Sequence, residues 1–165
     1  MRAASFDECF REHYPRLVAY SVAVSGDRDL GREFAQEAFV RLHAHWARIA
    51  TYDQPGAWLR RVVANLAIDH HRAASSERRA IERLAARPPV TSTPSTSSGS
   101  ERWSDLVAGL PPRQRAIVTL HYGEDLSVAD IAELLDLSVN TVKSALAKSR
   151  DKLRAALAER EDHDA

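Results

Sequence analysis

Apolar residues recur every three or four positions over most of the chain, which is the spacing of amphipathic helices. One such run covers Phe6 to Ser25, and a second covers Leu30 to about Arg48. A third begins at Ala57, continues to about Arg72 and extends, with more polar residues, to Leu84. The alternation of Val, Ile and Thr that indicates strands is scarce, so the pattern predicts an all-α protein.

The periodicity is interrupted at three places. Pro15 lies inside the first run and predicts either a kink or a helix boundary. Residues 49–56 contain Thr, Asp, Pro and Gly and predict a loop. Residues 87–102 are rich in Ser, Thr and Pro, and they bury too little apolar surface to offset the entropy of ordering. We therefore expect two small helical domains, residues 1–86 and 103–165, joined by a flexible linker.

The second domain contains three helical signals in close succession. Two prolines at 111 and 112 suit the start of a helix, where no backbone N–H is needed. Ser127 is a natural N-cap for a short helix over residues 128–135, and Ser138 caps a longer helix that runs to about Leu157. A short helix, a tight turn and a longer helix form the helix-turn-helix pattern of DNA-binding domains.

The last of these helices has two different faces. Its apolar stripe, which Ser149 joins, consists of Val142, Leu146, Leu153 and Leu157. Between residues 139 and 155 there are five basic residues and one acid, Asp151. Such a basic helix suits a DNA phosphate backbone, although solvated surface charge is the alternative interpretation.

Particular motifs carry a family resemblance beyond the helix-turn-helix pattern. LPPRQR at 110–115, EDLS at 124–127, DIAELL at 130–135 and SVNTVKS at 138–144 resemble the C-terminal promoter-reading domain of sigma-70-type factors. In the first domain, EFAQEAFVRL at 33–42 resembles the polymerase-binding helix of that family, and AWLRRVVANLAID at 57–69 resembles its promoter-melting helix. The short, two-domain extracytoplasmic-function sigma factors are the most similar kind.

The resemblance implies roles for residues of the first domain. Four would dock on the clamp coiled coil of the largest polymerase subunit: Gln36, Glu37, Phe39 and Arg41. For Phe39 the alternative is a plain core residue. The loop before the Trp58 helix would hold a flipped base of the −10 element, where single-stranded bases can stack and hydrogen-bond. The residues implied in −10 binding are Thr51, Tyr52, Asp53, Gln54, Arg60, Arg61 and Asn65.

The resemblance also implies that the last helix enters the major groove of the −35 element. The residues implied there are Arg113, Arg115, Asn140, Thr141, Lys143, Ser144 and Lys148. Asn to adenine and Lys to guanine are chemically suitable pairings. Arg113 and Arg115 would contact phosphates or would only be solvated. Asp136 stands where the family often has Gly, and Ala145 where it often has Arg.

Charge and cysteine content limit the remaining possibilities. The formal net charge is +0, which is unusual for a protein that binds DNA alone, so we expect segregated charge or a partner. Cys9 is the single cysteine, which excludes an intrachain disulfide, and we expect it in the core. We expect a cytoplasmic protein without membrane insertion, because neither a secretory signal nor a long apolar run is present.

Two other classes of protein, an enzyme and a free-standing DNA-binding regulator, fit the sequence less well. An enzyme is disfavoured because the seven histidines lack the i, i+4 spacing of a helical zinc pair and no catalytic glycine motif is present. We expect no metal and no cofactor. A free-standing helix-turn-helix regulator explains the second domain but not the motifs of the first. The resemblance therefore predicts a sigma factor whose partners are core RNA polymerase and promoter DNA, and it allows an anti-sigma protein.

Overall fold

A computed structural model describes residues 5–51, 54–84 and 99–164 of the chain. Helices and the turns between them account for this part of the chain, in which no strand occurs. The first half contains α1 (Phe6–Ser25), α2 (Arg28–Ala44), α3 (Trp46–Ile49) and α4 (Pro55–Glu82). The second half contains α5 (Gly99–Val107), α6 (Pro112–Val118), a π-helical segment (Thr119–Gly123), α7 (Val128–Leu135) and α8 (Val139–Asp164). The all-α prediction is confirmed.

The ends of α1 are defined by local side-chain and backbone chemistry. Ser5 and Glu8 form a reciprocal capping box at its start, which satisfies two backbone N–H groups that the helix leaves free. Gly26 ends it in a left-handed conformation (φ 75°), which glycine adopts without a Cβ clash. The helix runs unbroken through Pro15, and Cys9 and Leu17 on either side of it are both buried in the same core. Of the two alternatives for Pro15, a helix boundary is therefore wrong.

Helices α1 and α2 cross at very short range. A Cβ on Gly31 of α2 would lie 2.6 Å from the backbone N and Cα of Val22 in α1. Only glycine allows this approach, and it brings Val24 of α1 and Ala35 and Ala38 of α2 into a fully buried layer. This pair of helices forms the framework on which the predicted polymerase-binding residues are carried.

The second run of apolar periodicity is two helices rather than one. It was expected to continue to about Arg48, but α2 ends at Ala44 and α3 begins at Trp46. His45 leaves helical geometry (φ −113°, ψ 14°) while its N–H still bonds the carbonyls of Arg41 and Leu42. The break turns Trp46 toward Phe6, and the two rings meet edge to face at 5.5 Å. Tertiary packing thus overrides a continuous local pattern.

The short helices of the second half begin where the sequence predicts. Ser127 accepts a hydrogen bond from the Asp130 N–H and caps α7, and Asp136 ends α7 in a left-handed conformation (φ 55°). The Ser138 hydroxyl accepts from the Thr141 N–H at the start of α8. At its other end, α8 extends to Asp164 instead of about Leu157. Leu157 is 49% exposed, so the apolar stripe ends at Leu153.

The two halves of the described chain pack against each other and share one buried core. Helix α1 contacts α5 and α6, and α4 contacts α6 and α7. Most of the proposed linker, residues 87–102, lies outside the described residues, and its last four residues belong to α5. The proposed division at residues 86 and 103 stays a prediction. Nothing in the sequence pattern predicted how the halves would be arranged.

Candidate nucleic-acid interface

The predicted polymerase-binding residues of α2 divide between surface and core. Gln36 is exposed, and Arg41 Nε donates to Glu37 Oε1 at 2.7 Å one helical turn away. Phe39 is only 4% exposed, so its ring packs in the core, as the alternative interpretation predicts. The ion pair holds both charged side chains along the outer face of α2, where solvent screens them and the pair contributes little to stability.

An aromatic cluster surrounds Phe39 and reaches the surface beside Gln36. Phe10 stacks on Tyr14 with 4.7 Å between ring centroids, and its ring lies 4.8 Å from that of Phe39. An apolar groove of about 520 Å³ runs between α1 and α2 along this cluster. Val40 and Phe10 stay 65% and 37% exposed at the groove. Both were missed by sequence reasoning, although Val40 stands within the polymerase-binding motif.

The predicted −10 residues lie at the start of α4 and in the loop before it. Thr51 is exposed, and its hydroxyl donates to the Arg48 carbonyl at 2.7 Å. Gln54 is exposed at the N-terminus of α4, and Asn65 is exposed further along that helix. Tyr52 and Asp53 lie outside the described residues, so the aromatic part of the predicted base pocket stays a prediction.

Two arginines predicted to bind −10 DNA are paired with acidic residues of the second half. Arg60 Nη2 donates to Glu124 Oε2 at 2.6 Å, and both side chains are about four-fifths buried. Arg61 Nη2 lies 3.8 Å from Asp136 Oδ2 in a far more exposed pair. The first pair could not be predicted from the sequence, because its members are 64 positions apart.

Tyr20 of α1 lies beside the Arg60–Glu124 pair in the interior. Burial raises the pKa of its phenol; the positive charge of Arg60 opposes that rise and the negative charge of Glu124 adds to it. The phenol therefore stays protonated at any physiological pH. Within the part of the chain that the structure describes, the Tyr20 hydroxyl has no hydrogen-bond partner.

The two arginines of α6 have opposite environments. Arg113 is exposed, in keeping with either alternative given for it. Arg115 was expected at phosphates or in solvent, but it is only 9% exposed, and the structure buries it against the C-terminal end of α1. A Cβ on Gly26 would collide with its Nη1 atom. Burial lowers the pKa of the Arg115 guanidinium, which nevertheless stays charged because its ordinary pKa is so high.

The start of α8 presents most of the predicted −35 residues to solvent. Its exposed residues include Asn140, Thr141, Lys143, Ser144 and Lys148. Val142 and Leu146 on the other side are buried and fix the rotation of the helix. The hydroxyls of Ser138 and Thr141 lie 2.7 Å apart, so Thr141 takes part in the N-terminal cap.

Part of this polar face lines a groove of about 600 Å³ between α8, α6 and the second half of α4. Asn140, Ser144 and Lys148, one helical turn apart, face His71 and Arg72 across it. Ala145 also lines the groove and is buried, so the position where the family often has Arg carries no cation here.

The described residues contain neither a cluster of metal ligands nor a membrane-spanning helix. Among residues 5–51, 54–84 and 99–164, no group of three or more His, Cys, Asp or Glu side chains could hold a metal ion. No helix in that part of the chain is long and apolar enough to cross a bilayer. Cys9 is buried, and burial raises the pKa of its thiol, with Glu12 adding to the effect.

Comparison with known proteins identifies the family. Residues 9–77 match the family Sigma-70 region 2, and residues 100–153 match the family Sigma-70, region 4. The chain is 30% identical over 158 residues to the RNA polymerase sigma-E factor of Streptomyces avermitilis, covering 94% of this chain and 87% of that protein. It is 30% identical over 161 residues to the ECF RNA polymerase sigma factor SigL of Mycobacterium tuberculosis, covering 95% and 91% respectively.

A solved structure supports the same fold. The sigma factor RpoE of Bartonella quintana, crystallised with the anti-sigma factor NepR, superposes on 93% of this chain and 96% of its own, with a TM-score of 0.72 at 19% identity. The chain therefore belongs to the extracytoplasmic-function group of sigma-70 RNA polymerase sigma factors, which are not enzymes but initiation factors that direct core RNA polymerase to promoter DNA.

Proposed function

We propose that three surfaces of this chain divide the work of a sigma factor. The groove between α1 and α2, with Gln36, Glu37 and Arg41 on its α2 side, docks on core polymerase. The start of α4 and the loop before it bind the −10 element. The exposed face of α8 reads the −35 element. We further propose that residues 1–86 and 103–165 act as separate domains, and that the protein works in the cytoplasm with its polymerase.

The exposed apolar groove is the observation that carries the polymerase-binding surface. Val40 leaves about two-thirds of its side chain in water next to Phe10 and Gln36, although most large apolar residues described in the first half are buried or half-buried. An exposed apolar patch rimmed by polar residues is typical of a protein interaction site. An apolar centre flanked by the Glu37 and Arg41 charges also fits the anatomy of such interfaces, with a dry core and a polar rim.

The experiment is co-elution of the purified chain with core RNA polymerase on size exclusion. Val40→Asp places a carboxylate in the centre of the interface, where it would be desolvated without a partner. We expect binding to weaken at least tenfold, since hot-spot residues at the centre of an interface contribute about 2 kcal/mol or more each. Glu37→Lys should also weaken binding by reversing a charge at the rim.

Leu157→Asp is the matched control for this experiment. Leu157 is also a large apolar residue that is about half exposed, but it lies near the end of α8, away from the groove. This variant should co-elute with polymerase like the parent chain. Equal co-elution of Val40→Asp and Leu157→Asp would show that polymerase binds elsewhere.

We propose an anti-sigma protein as a further partner. The Bartonella sigma factor of similar fold was crystallised with one, and the present chain has grooves on two of its proposed working surfaces. A protein that covers either groove would block polymerase or promoter binding. The identity of such a partner would come from affinity purification of the tagged chain from its own cells before and after stress.

A further inference from the structure

We propose, resting on the assignment of Arg60 and Arg61 to −10 DNA made above, that the free chain is autoinhibited by carboxylates that take the place of DNA phosphates. The acidic segment is defined as residues 124–136, from the end of the π-helical segment to the end of α7. In the closed arrangement its carboxylates occupy the arginines of α4. Promoter DNA and the acidic segment then compete for the same guanidinium groups.

The Arg60–Glu124 pair is the central contact of this device. Its 2.6 Å hydrogen bond joins the promoter-melting helix to the second half of the chain, and only about a fifth of each side chain is exposed. Charge-assisted hydrogen bonds of this length are the strong ones, and partial burial reduces their screening by salt. While this bond exists, the Arg60 guanidinium is not available to a phosphate.

The backbone holds Glu124 in position for this contact. The Glu124 N–H donates to the Thr119 carbonyl, and the Leu126 N–H donates to the Leu120 carbonyl, each at 3.0 Å. Asp125 between them is left-handed (φ 56°), a conformation that Asp tolerates better than most residues. The turn is therefore ordered by its own hydrogen bonds, so little further entropy is lost when Glu124 meets Arg60.

Charge is complementary along the whole contact. The acidic segment contains five acids and no base, whereas residues 54–68 of α4 contain Arg60 and Arg61 and no acid. Asp136 reaches Arg61, and Asp130 and Glu133 line a cleft of about 510 Å³ with Arg60 and Gln54. The chain thus supplies counter-charge to its own proposed DNA-binding arginines.

The same arrangement restricts the −35 surface. Asn140, Ser144 and Lys148 line a groove whose opposite wall is formed by His71 and Arg72 of α4, so α4 stands beside the face of α8 that would enter DNA. Arg115 is buried against α1. Reading of the −35 element by this face therefore requires the halves to separate, so closure obstructs both proposed DNA-binding surfaces.

The energetic consequence follows from population shift. DNA that binds only the open form has an apparent affinity reduced by the fraction of chains that are open. Loss of one partner from the central pair raises that fraction. We expect the open fraction, and with it the apparent affinity for DNA, to rise about tenfold, which corresponds to about 1.4 kcal/mol.

The test uses the full chain without polymerase and compares Glu124→Gln with the parent. The probe is a fluorescein-labelled, mixed-sequence single strand of DNA at low salt, followed by anisotropy. Glu124→Gln should bind the strand about tenfold more tightly than the parent. Its radius of gyration in small-angle X-ray scattering should exceed the value of about 15 Å expected for a compact chain of this length.

Asp105→Asn is the matched control, because removal of any negative charge favours DNA binding slightly. Asp105 pairs with Arg160 at 3.3 Å between α5 and α8, so this pair lies within the second half and does not join it to α4. The control removes the same charge and should leave the radius of gyration unchanged. If Glu124→Gln binds the strand no more tightly than Asp105→Asn, the proposed competition is wrong.

The Arg60→Gln variant distinguishes two ways in which the proposal could fail: the Arg60–Glu124 pair does not hold the chain closed, or Arg60 does not bind DNA. The variant breaks the same pair from the other side, so it should also expand the chain, but its strand binding should improve less than that of Glu124→Gln, because one DNA-binding guanidinium is lost. If both variants remain as compact as the parent, the carboxylate lock is refuted. Two outcomes would show that Arg60 is not a DNA ligand and would refute the proposed competition. In the first, Glu124→Gln expands the chain without binding the DNA strand more tightly. In the second, Arg60→Gln binds the DNA strand as tightly as Glu124→Gln does.

Discussion

Replacement of Gly31 by alanine tests the close crossing of α1 and α2. Two effects of opposite sign compete. Alanine favours a helix interior over glycine by about 1 kcal/mol. Its Cβ, however, would lie 2.6 Å from backbone atoms of Val22, and these cannot rotate away as a side-chain end could. To restore an ordinary contact of 3.4 Å, the helices must separate by about 0.8 Å at this point.

Such a separation affects the layer of Val24, Ala35 and Ala38, which is fully buried. A gap of 0.5–1 Å loses about a quarter to a half of each dispersion contact across it. Overpacking against a rigid neighbour costs about 3 kcal/mol at the upper end of its range, so the net loss of stability should be about 2 kcal/mol.

Urea unfolding followed by circular dichroism measures this loss. With a slope of about 2 kcal/mol per molar urea, the midpoint should fall by about 1 M. Gly109→Ala is the control: a Cβ there meets nothing within 4 Å, so stability should stay the same or rise slightly. If Gly31→Ala is as stable as the parent or more stable, the close approach is wrong and helix propensity decides the outcome.

Two other substitutions give further tests of the account. Tyr20→Phe should leave the free energy of unfolding unchanged or raise it by about 1 kcal/mol, because the buried hydroxyl lacks a partner among the described residues. A clear loss of stability in urea unfolding would show that the hydroxyl does have a hydrogen-bond partner. Asn140→Ala or Lys143→Ala should cost holoenzyme about 1–3 kcal/mol on the preferred −35 sequence and relax base choice at one position. Lys148→Ala should instead weaken binding on all sequences and lower the salt slope by about one unit; altered base preference in Lys148→Ala alone would mean that α8 docks differently.

The starts of α7 and α8 were the part of the fold that the sequence predicted best. The caps at Ser127 and Ser138 depend on side chains and backbone within a few positions of each other, so local chemistry decides them. The break at His45 could not be predicted in this way. The break places Trp46 against Phe6, which lies 40 positions earlier, and the apolar spacing continues through it.

Residues of the candidate surfaces could be predicted only where they belong to a sequence motif of the family. Gln36, Glu37 and the polar residues of α8 follow from the family resemblance, and most of them are exposed. The burial of Arg115 was not predictable, because an arginine has the same sequence signal in solvent and against a helix end. The pairing of Arg60 with Glu124 was not predictable either, since charge pairing between distant segments depends on how the two halves pack.

We propose that this chain initiates transcription only together with core RNA polymerase, through separate polymerase, −10 and −35 surfaces. Run-off transcription on a library of genomic fragments, with core polymerase and the purified chain added separately and together, tests it most directly. We expect discrete promoter-specific transcripts with both components, none with either alone, and a marked loss of transcripts with Val40→Asp but not with Leu157→Asp. Sequence-specific binding of the chain to duplex DNA without polymerase, and no transcripts when both are present, would contradict it.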